Sequence, residues 1–408
     1  MDVTLINPDV YVQQDPQARW LTTTITPATG KGLIKTDLDK LRFRDANLVL
    51  VPRKMGGDFS LQVPVKFSGI NGTAQLLNQN KLIKLDLAAQ AVSGGDISIV
   101  GDLIPQKVLA GDFRVRGQNL LSADITRLVT LPLTLQSGRV NGDLRIKVTP
   151  KQKTLLYGNA MIEGVTLQIA KIPELFNHSQ GNLIFDGLVI KLDNIVTNYG
   201  QIPFTTSGTI DQQAGFNLKA RVNAVSLANA QATLKVKLPF PVSGIAQADL
   251  QLMGATTKPV LSGNVRTLKT ARIDQVDFGK VSSKFELISS KSLLRITDIQ
   301  GKTTYGGEVK GGGIIKLGQV SALNFQLRAE NIPGDAIAQV YNIKTGFPIG
   351  MITATAEIKG VADNTHTFVK WQAPQAQYPV TGTSIINPDR TVSFRDVVAT
   401  VGGGVVNG

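Results

Sequence analysis

Apolar residues recur at every second position in segment after segment of this chain: Phe113 and Val115; Phe216, Leu218, Ala220 and Val222; Phe325, Leu327 and Ala329. That is the period of a strand with one apolar and one polar face, because successive side chains of a pleated backbone point to opposite sides. Helical spacing is rare. It appears mainly over residues 122–129, 227–234 and 334–341, which read as three brief helices or irregular connectors of about two turns each.

The alternation is organised by an internal repeat. Asn119, Asn223 and Asn331 each close an alternating strand, and a hydrophobic residue followed by proline comes next at Leu131-Pro132, Leu238-Pro239 and Phe347-Pro348. Gly138, Gly244 and Gly350 then stand 106 and 106 residues apart. From those glycines the apolar positions fall in step: Val140, Leu144 and Ile146 match Ala246, Leu250 and Leu252, which match Ile352, Ala356 and Ile358. Each unit reaches a glycine turn, at Tyr199-Gly200, at Tyr305-Gly306-Gly307 and at Val401 to Gly404. A shorter, divergent unit with Val63-Pro64, Gly69 and Gly94-Gly95 precedes them. The expected division is a divergent N-terminal unit over 1–118, repeat units over 119–222 and 223–330, and a truncated unit over 331–408.

A period near 105 residues is too long for one coil of a β-helix or one propeller blade. Three closed sandwiches of about 100 residues would have this length. No Pro/Ser-rich linker separates the units, Trp20 and Trp371 do not occupy corresponding positions, and aromatics are only 6%. The expectation is therefore an all-β fold: one elongated, folded-over, taco-like sheet with few short helices. Alternation along every strand gives such a sheet an apolar groove, and an exposed apolar surface of that size marks a binding surface.

Composition narrows the chemistry. With 42% apolar and 18% charged residues the 408-residue chain folds rather than staying disordered, and 40 Gly and 18 Pro imply many turns. The formal charge of +13 suits an anionic partner, but the Lys and Arg residues are scattered singly on polar strand faces, as in Arg114-Val115-Arg116 and Lys219-Ala220-Arg221, without the stacking aromatics of a nucleic-acid site. No nucleic-acid partner is expected. Cysteine is absent, so disulfides and thiolate metal sites are excluded, and His178 and His366 are too few for an imidazole site or a triad. No stretch approaches the roughly 18 apolar residues of a membrane-spanning helix. The chain begins in mid-pattern, with Val3 and Leu5 already alternating, so it reads as an excerpt of a longer protein.

Catalytic signatures are missing as well. The glycine-rich stretches 306–313 and 402–408 lack the strand-turn-helix context of a dinucleotide loop and read as turns or bulges, and Thr29-Gly30-Lys31-Gly32 lacks the full pattern of a phosphate loop. Asp193, Asp298 and Asp396 recur before each glycine turn; repetition argues against catalysis, and turn capping is their expected role. An enzyme, a cofactor and a metal site are not expected.

Three segments carry a family resemblance: residues 3–12, Val-Thr-Leu-Ile-Asn-Pro-Asp-Val-Tyr-Val, with Trp20 after them; residues 258–265, Lys-Pro-Val-Leu-Ser-Gly-Asn-Val; and the Tyr-Gly-Gly turn at Tyr305. With the repeat, they resemble the AsmA-like superfamily, and within it the TamB-type translocation and assembly module family in its cyanobacterial form, related to a chloroplast inner-envelope translocon component. The resemblance implies a periplasmic protein anchored to the inner membrane by a segment upstream of Met1. It implies an apolar β groove that carries phospholipid between envelope membranes. Assembly of outer-membrane proteins with a barrel assembly factor is also implied, through a C-terminal domain that this chain does not include.

Exposing one methylene to water costs about 0.8 kcal/mol, so a 16-carbon acyl chain faces roughly 12 kcal/mol in crossing water, most of which a continuous apolar track removes. The groove candidates, chosen for their matched register, are Val140, Leu144, Ile146, Phe216, Leu218, Leu250, Leu252, Phe325, Leu327 and Ile358. Any of them could equally sit in a closed sandwich core. The rival reading is a scaffold or chaperone that pairs its sheet edge with unfolded outer-membrane strands through backbone hydrogen bonds.

Overall fold

A computed structural model describes residues 1–15, 20, 38–53, 62–78, 81–104, 110–128, 133–169, 173–236, 238, 240–318, 320–344, 346–361 and 364–408. Leu131-Pro132, Pro239 and the 29–32 segment lie outside these residues. The fold is all-β: the 26 described strands belong to one open sheet that does not close into a barrel, accompanied by three short helices. The chain divides into two compact units, Met1–Gly200 with Ser207–Gln213, and Gln201–Thr206 with Ala214–Gly408.

The N-terminal unit starts with β1 (Asp2–Ile6) and β2 (Asp9–Gln13), both parallel to the long β3 (Lys40–Val51). From β3 an antiparallel meander follows: β4 (Val65–Leu77), β5 (Leu82–Ala91), β6 (Asp96–Ile104), β7 (Ala110–Leu121), α1 (Ser122–Leu128), β8 (Leu133–Val148), β9 (Leu155–Ile169), β10 (Phe176–Gly187) and β11 (Val189–Tyr199). β12 (Ile202–Asp211) runs across the division.

The C-terminal unit repeats the scheme. β13 (Gly215–Ser226) is followed by α2 (Leu227–Leu234), the short β14 (Val242–Ser243), β15 (Ile245–Gly254), β16 (Val260–Thr267) and the short β17 (Ala271–Ile273). Then come β18 (Val276–Ile288), β19 (Leu293–Thr303), β20 (Glu308–Lys316), β21 (Ala322–Pro333), α3 (Gly334–Val340), β22 (Met351–Val361), β23 (Asn364–Ala373), β24 (Val380–Ile386), β25 (Val392–Val401) and β26 (Gly404–Asn407). Each long strand pairs antiparallel with the next, and β14 pairs β17 beside the main ladder.

The three helices lie where the 3.6-residue spacing places them. Ser226 caps α2, its side chain accepting from Asn229 N–H at 3.1 Å, and Lys235 ends it in the left-handed conformation (φ 53°). α1 is fastened over the β5–β6 turn: Ser93 Oγ donates to Asp124 at 2.5 Å, and Arg127 pairs with the same carboxylate at 2.6 Å. Gly138, Gly244 and Gly350 all have positive φ (98°, 137° and 72°), and a Cβ on Gly138 would lie 2.5 Å from Val165 Cα. Glycine is required there by backbone sign and by space.

Two expectations need correction. Asn119 and Asn331 do not close their strands. They sit inside β7 and β21 in the left-handed conformation (φ 54° and 52°), at register shifts between Gly117 and Leu120 and between Ala329 and Ile332. β13 also runs past Asn223 to Ser226, with its shift between Val222 and Val225. Asp298 and Asp396 likewise cap no turn: both are left-handed (φ 52° and 49°) at bulges in β19 and β25, while Asp193 is in ladder register and its neighbour Asn194 carries the positive φ. The physical reason is that Asn and Asp tolerate the left-handed conformation better than other non-glycine residues, and one such residue is enough to bulge and bend a strand without ending it. At the bulges of Asn119 and Asn194, and at a further one where Asp45 (φ 55°) shifts the β3–β4 register between Phe43 and Ala46, the displaced backbone N–H is taken up by a side chain on the next strand: Asn119 N–H by Asn141, Asn194 N–H by Ser207 and Asp45 N–H by Asn71.

Candidate apolar groove face

Directly paired residues of neighbouring strands share a face, and so do residues two apart on one strand. Applied to the observed register, these rules give rows that cross the strands. In the N-terminal unit one row runs Phe43, Gly72, Leu87, Ile99, Val115, Leu144, Gly158, Phe185, Ile190. Its neighbour runs Leu41, Ala74, Leu85, Gly101, Phe113, Ile146, Leu156, Gly187. No side chain in either row bears a polar atom.

The C-terminal unit has its own rows. One passes through Ala220, Leu250, Gly263, Phe285, Ile296, Gly313, Phe325, Ile358, Thr367 and Ile386. A second passes through Leu218, Leu252, Leu261, Leu287, Leu294, Ile315, Leu323, Gly360 and Thr365. Neither contains a charged residue.

These rows place all ten groove candidates on apolar faces. Val140, Leu144 and Ile146 lie on β8 in the N-terminal unit. Phe216 and Leu218 lie on β13, Leu250 and Leu252 on β15, Phe325 and Leu327 on β21 and Ile358 on β22, all in the C-terminal unit. Within that unit Leu218 faces Leu252 and Phe325 faces Ile358 across the ladder. Every one of the ten is half-buried, neither sealed nor open to bulk water. The fully buried apolar side chains are instead mainly alanine and valine, such as Ala46, Val65, Val165, Ala271 and Ala373. A closed sandwich of this size would put its large leucines and phenylalanines in that class.

A second regularity is that aromatic residues stand opposite glycines. Phe43 faces Gly72, Phe113 faces Gly101, Phe185 faces Gly158, Phe216 faces Gly254, Phe285 faces Gly263, Phe325 faces Gly313 and Trp371 faces Gly382. The ring can lie over the empty position: a Cβ on Gly313 would be 2.5 Å from Phe325 Cγ, and one on Gly382 would be 2.8 Å from Trp371 Cζ2. At Gly313 and Gly382 the ring covers backbone that a glycine leaves bare, which favours that register.

The opposite face carries the charge, as expected. Arg114 and Arg116 pair with Asp143 at 2.7 and 3.0 Å, Arg145 with Asp112 at 2.7 Å, Arg221 with Asp249 at 2.7 Å and Lys284 with Asp298 at 2.9 Å. Hydrogen bonds from Arg114 and Arg116 hold the Asp143 carboxyl far below its ordinary 3.8, and Arg145 lowers Asp112 in the same way. These pairs are exposed and salt-screened, so each contributes little to stability. Among the described residues no cluster of His, Asp and Glu could hold a metal ion, and no helix is long and apolar enough to cross a membrane.

Sequence reasoning missed half of the face. Leu85, Leu87 and Ile99 of β5 and β6, and Phe285, Leu294 and Ile296 of β18 and β19, belong to the same rows as the ten. The signal was present as alternation in each strand; the repeat comparison, which matched only positions following Gly138, Gly244 and Gly350, passed over them.

No family model, curated protein or solved structure matches the chain.

Proposed function

We propose that the protein is a non-enzymatic lipid-handling module whose apolar sheet faces accept the acyl chains of phospholipid, as a periplasmic bridge anchored to the inner membrane outside this chain. The observation that carries this reading is the pair of uncharged rows in each unit, rich in large aliphatic side chains held half-buried. Such a surface is too apolar to be left facing water and too open for a finished core. Acyl chains suit it because dispersion and desolvation act all along the rows, and no polar group is left unsatisfied. Adjacent rungs of similar aliphatic character keep binding nearly even from one to the next, which favours sliding over arrest. Contact with an outer-membrane barrel assembly factor belongs to the same reading.

The test is a photo-crosslinking side chain placed at Phe216 or Leu250 in the protein expressed in cells. The expected outcome is capture of phospholipid. Capture of polypeptide alone, concentrated on one strand edge, would replace this reading with the strand-pairing scaffold.

A further inference from the structure

The inner rows of the C-terminal unit change character at β23 and β24. Thr367 and Ser384 point to the apolar face, with Thr367 opposite Ile386 and Ser384 opposite Val369, so the two hydroxyl-bearing residues are diagonal neighbours about 5–8 Å apart by sheet geometry. Trp371 stands two residues from Val369 on the same face. Its indole N–H donates to Ser384 Oγ at 2.8 Å, and its ring meets Phe394 edge-on at 6.5 Å. A hydroxyl that accepts one hydrogen bond still has a proton to donate. Among the described residues the Ser384 hydroxyl makes no other hydrogen bond and the Thr367 hydroxyl makes none. Thr367 and Trp371 are half-buried while Ile386 and Phe394 are exposed, so the Thr367 hydroxyl is reachable, whereas Ser384, which the indole N–H holds, is buried at 7% exposure.

Other hydroxyls near these rows have no indole beside them. Thr365 donates to Val361 O, and Thr267 accepts from Val281 N–H. Ser283, diagonal to Thr267, has no indole beside it. A reachable donor on Thr367 next to an indole held by Ser384, on a face with no charge, selects an uncharged group that only accepts hydrogen bonds and is attached to hydrocarbon.

We propose that Thr367, Ser384 and Trp371 form a station for the ester carbonyls of an acyl lipid, which distinguishes ester-linked from ether-linked chains. The inference rests on the acyl-chain reading above and adds the polar group recognised. One hydroxyl-to-carbonyl bond from Thr367 is worth about 0.5–1.5 kcal/mol, so the preference should be about two- to tenfold.

The experiment uses the full chain carrying Trp20→Phe, which leaves Trp371 as the sole tryptophan. Its emission is followed while monomeric dihexanoylphosphatidylcholine, or the dihexyl ether analogue, is added. The ester lipid is expected to bind more tightly by the stated factor, and Thr367→Val, which keeps the β-branched shape, should bring the ratio close to one without weakening the ether lipid. Equal binding of the two lipids by the unsubstituted site, or a ratio that survives Thr367→Val, overturns the station. If neither lipid moves the emission while the Phe216 crosslinker still captures phospholipid, the station alone fails. If that capture fails too, the acyl-chain reading falls with it.

Discussion

The two faces of the β7–β8 pair share one backbone and one register, yet they are chemically unlike. On one side Phe113 meets Ile146 and Val115 meets Leu144; on the other Arg114 meets Arg145, and Asp143 gathers Arg114 and Arg116. Nothing but the two-residue period separates them, so a slip of one residue would turn every charge inward. The comparison teaches that the apolar face is maintained position by position, and that its tolerance for charge should be far lower than that of its reverse.

The sharpest way to break the comparison is to move a charge across it. Leu144→Lys puts an ammonium in the middle of the inner row, and even with its stem partly extended toward water the urea midpoint should fall by the equivalent of about 2–3 kcal/mol. Val100→Lys, on the outer face opposite Asp86 and Arg114 and 50% exposed, should change stability by no more than about 0.5 kcal/mol. Similar losses for the two would mean that the inner face is not distinct.

A smaller effect is expected from the glycines that lie beneath aromatic rings. Gly313→Ala drives a methyl against Phe325 and the Asn324 carbonyl, each 2.5 Å away, and should cost about 1–3 kcal/mol. Gly142→Ala, whose new methyl would meet its nearest neighbour at 3.3 Å, should shift the midpoint by less than about 1 kcal/mol in either direction. Paired denaturation curves decide whether the ring-over-glycine arrangement is tight packing or coincidence of register.

The smallest effect concerns the outer charges. Because Arg114 and Arg116 hold the Asp143 carboxyl below its ordinary 3.8, its contribution is present above that pH and is lost as pH falls toward the lowered folded value. Asp143→Asn should therefore lower the thermal midpoint slightly at neutral pH and reduce its decline in acid. A thermal-melt series from about pH 7 to 2 checks this, and raised salt should shrink the difference.

Much of the architecture was legible because it is periodic. Phe216, Leu218 and Ala220 announce a strand by their spacing alone, and residues 227–234 announce a short helix by theirs. The bulges were not legible. Asn119 reads as a strand end, since the alternation breaks there, and only the pairing partners reveal that β7 resumes its ladder with Leu120 opposite Val140. The Thr367–Ser384–Trp371 station was hidden for a related reason: its members are 17 residues apart in sequence, and their proximity exists only through the β23–β24 register.

Local chemistry along the chain therefore determined the strand period, the two unlike faces, the three helices and the lack of any thiol or histidine-rich site, because each depends on near neighbours. Tertiary structure decided which residue opposes which, where left-handed Asn and Asp bend a strand without ending it, and how far each leucine is withdrawn from water. Those are relations between segments distant in sequence, and no local pattern encodes a pairing partner.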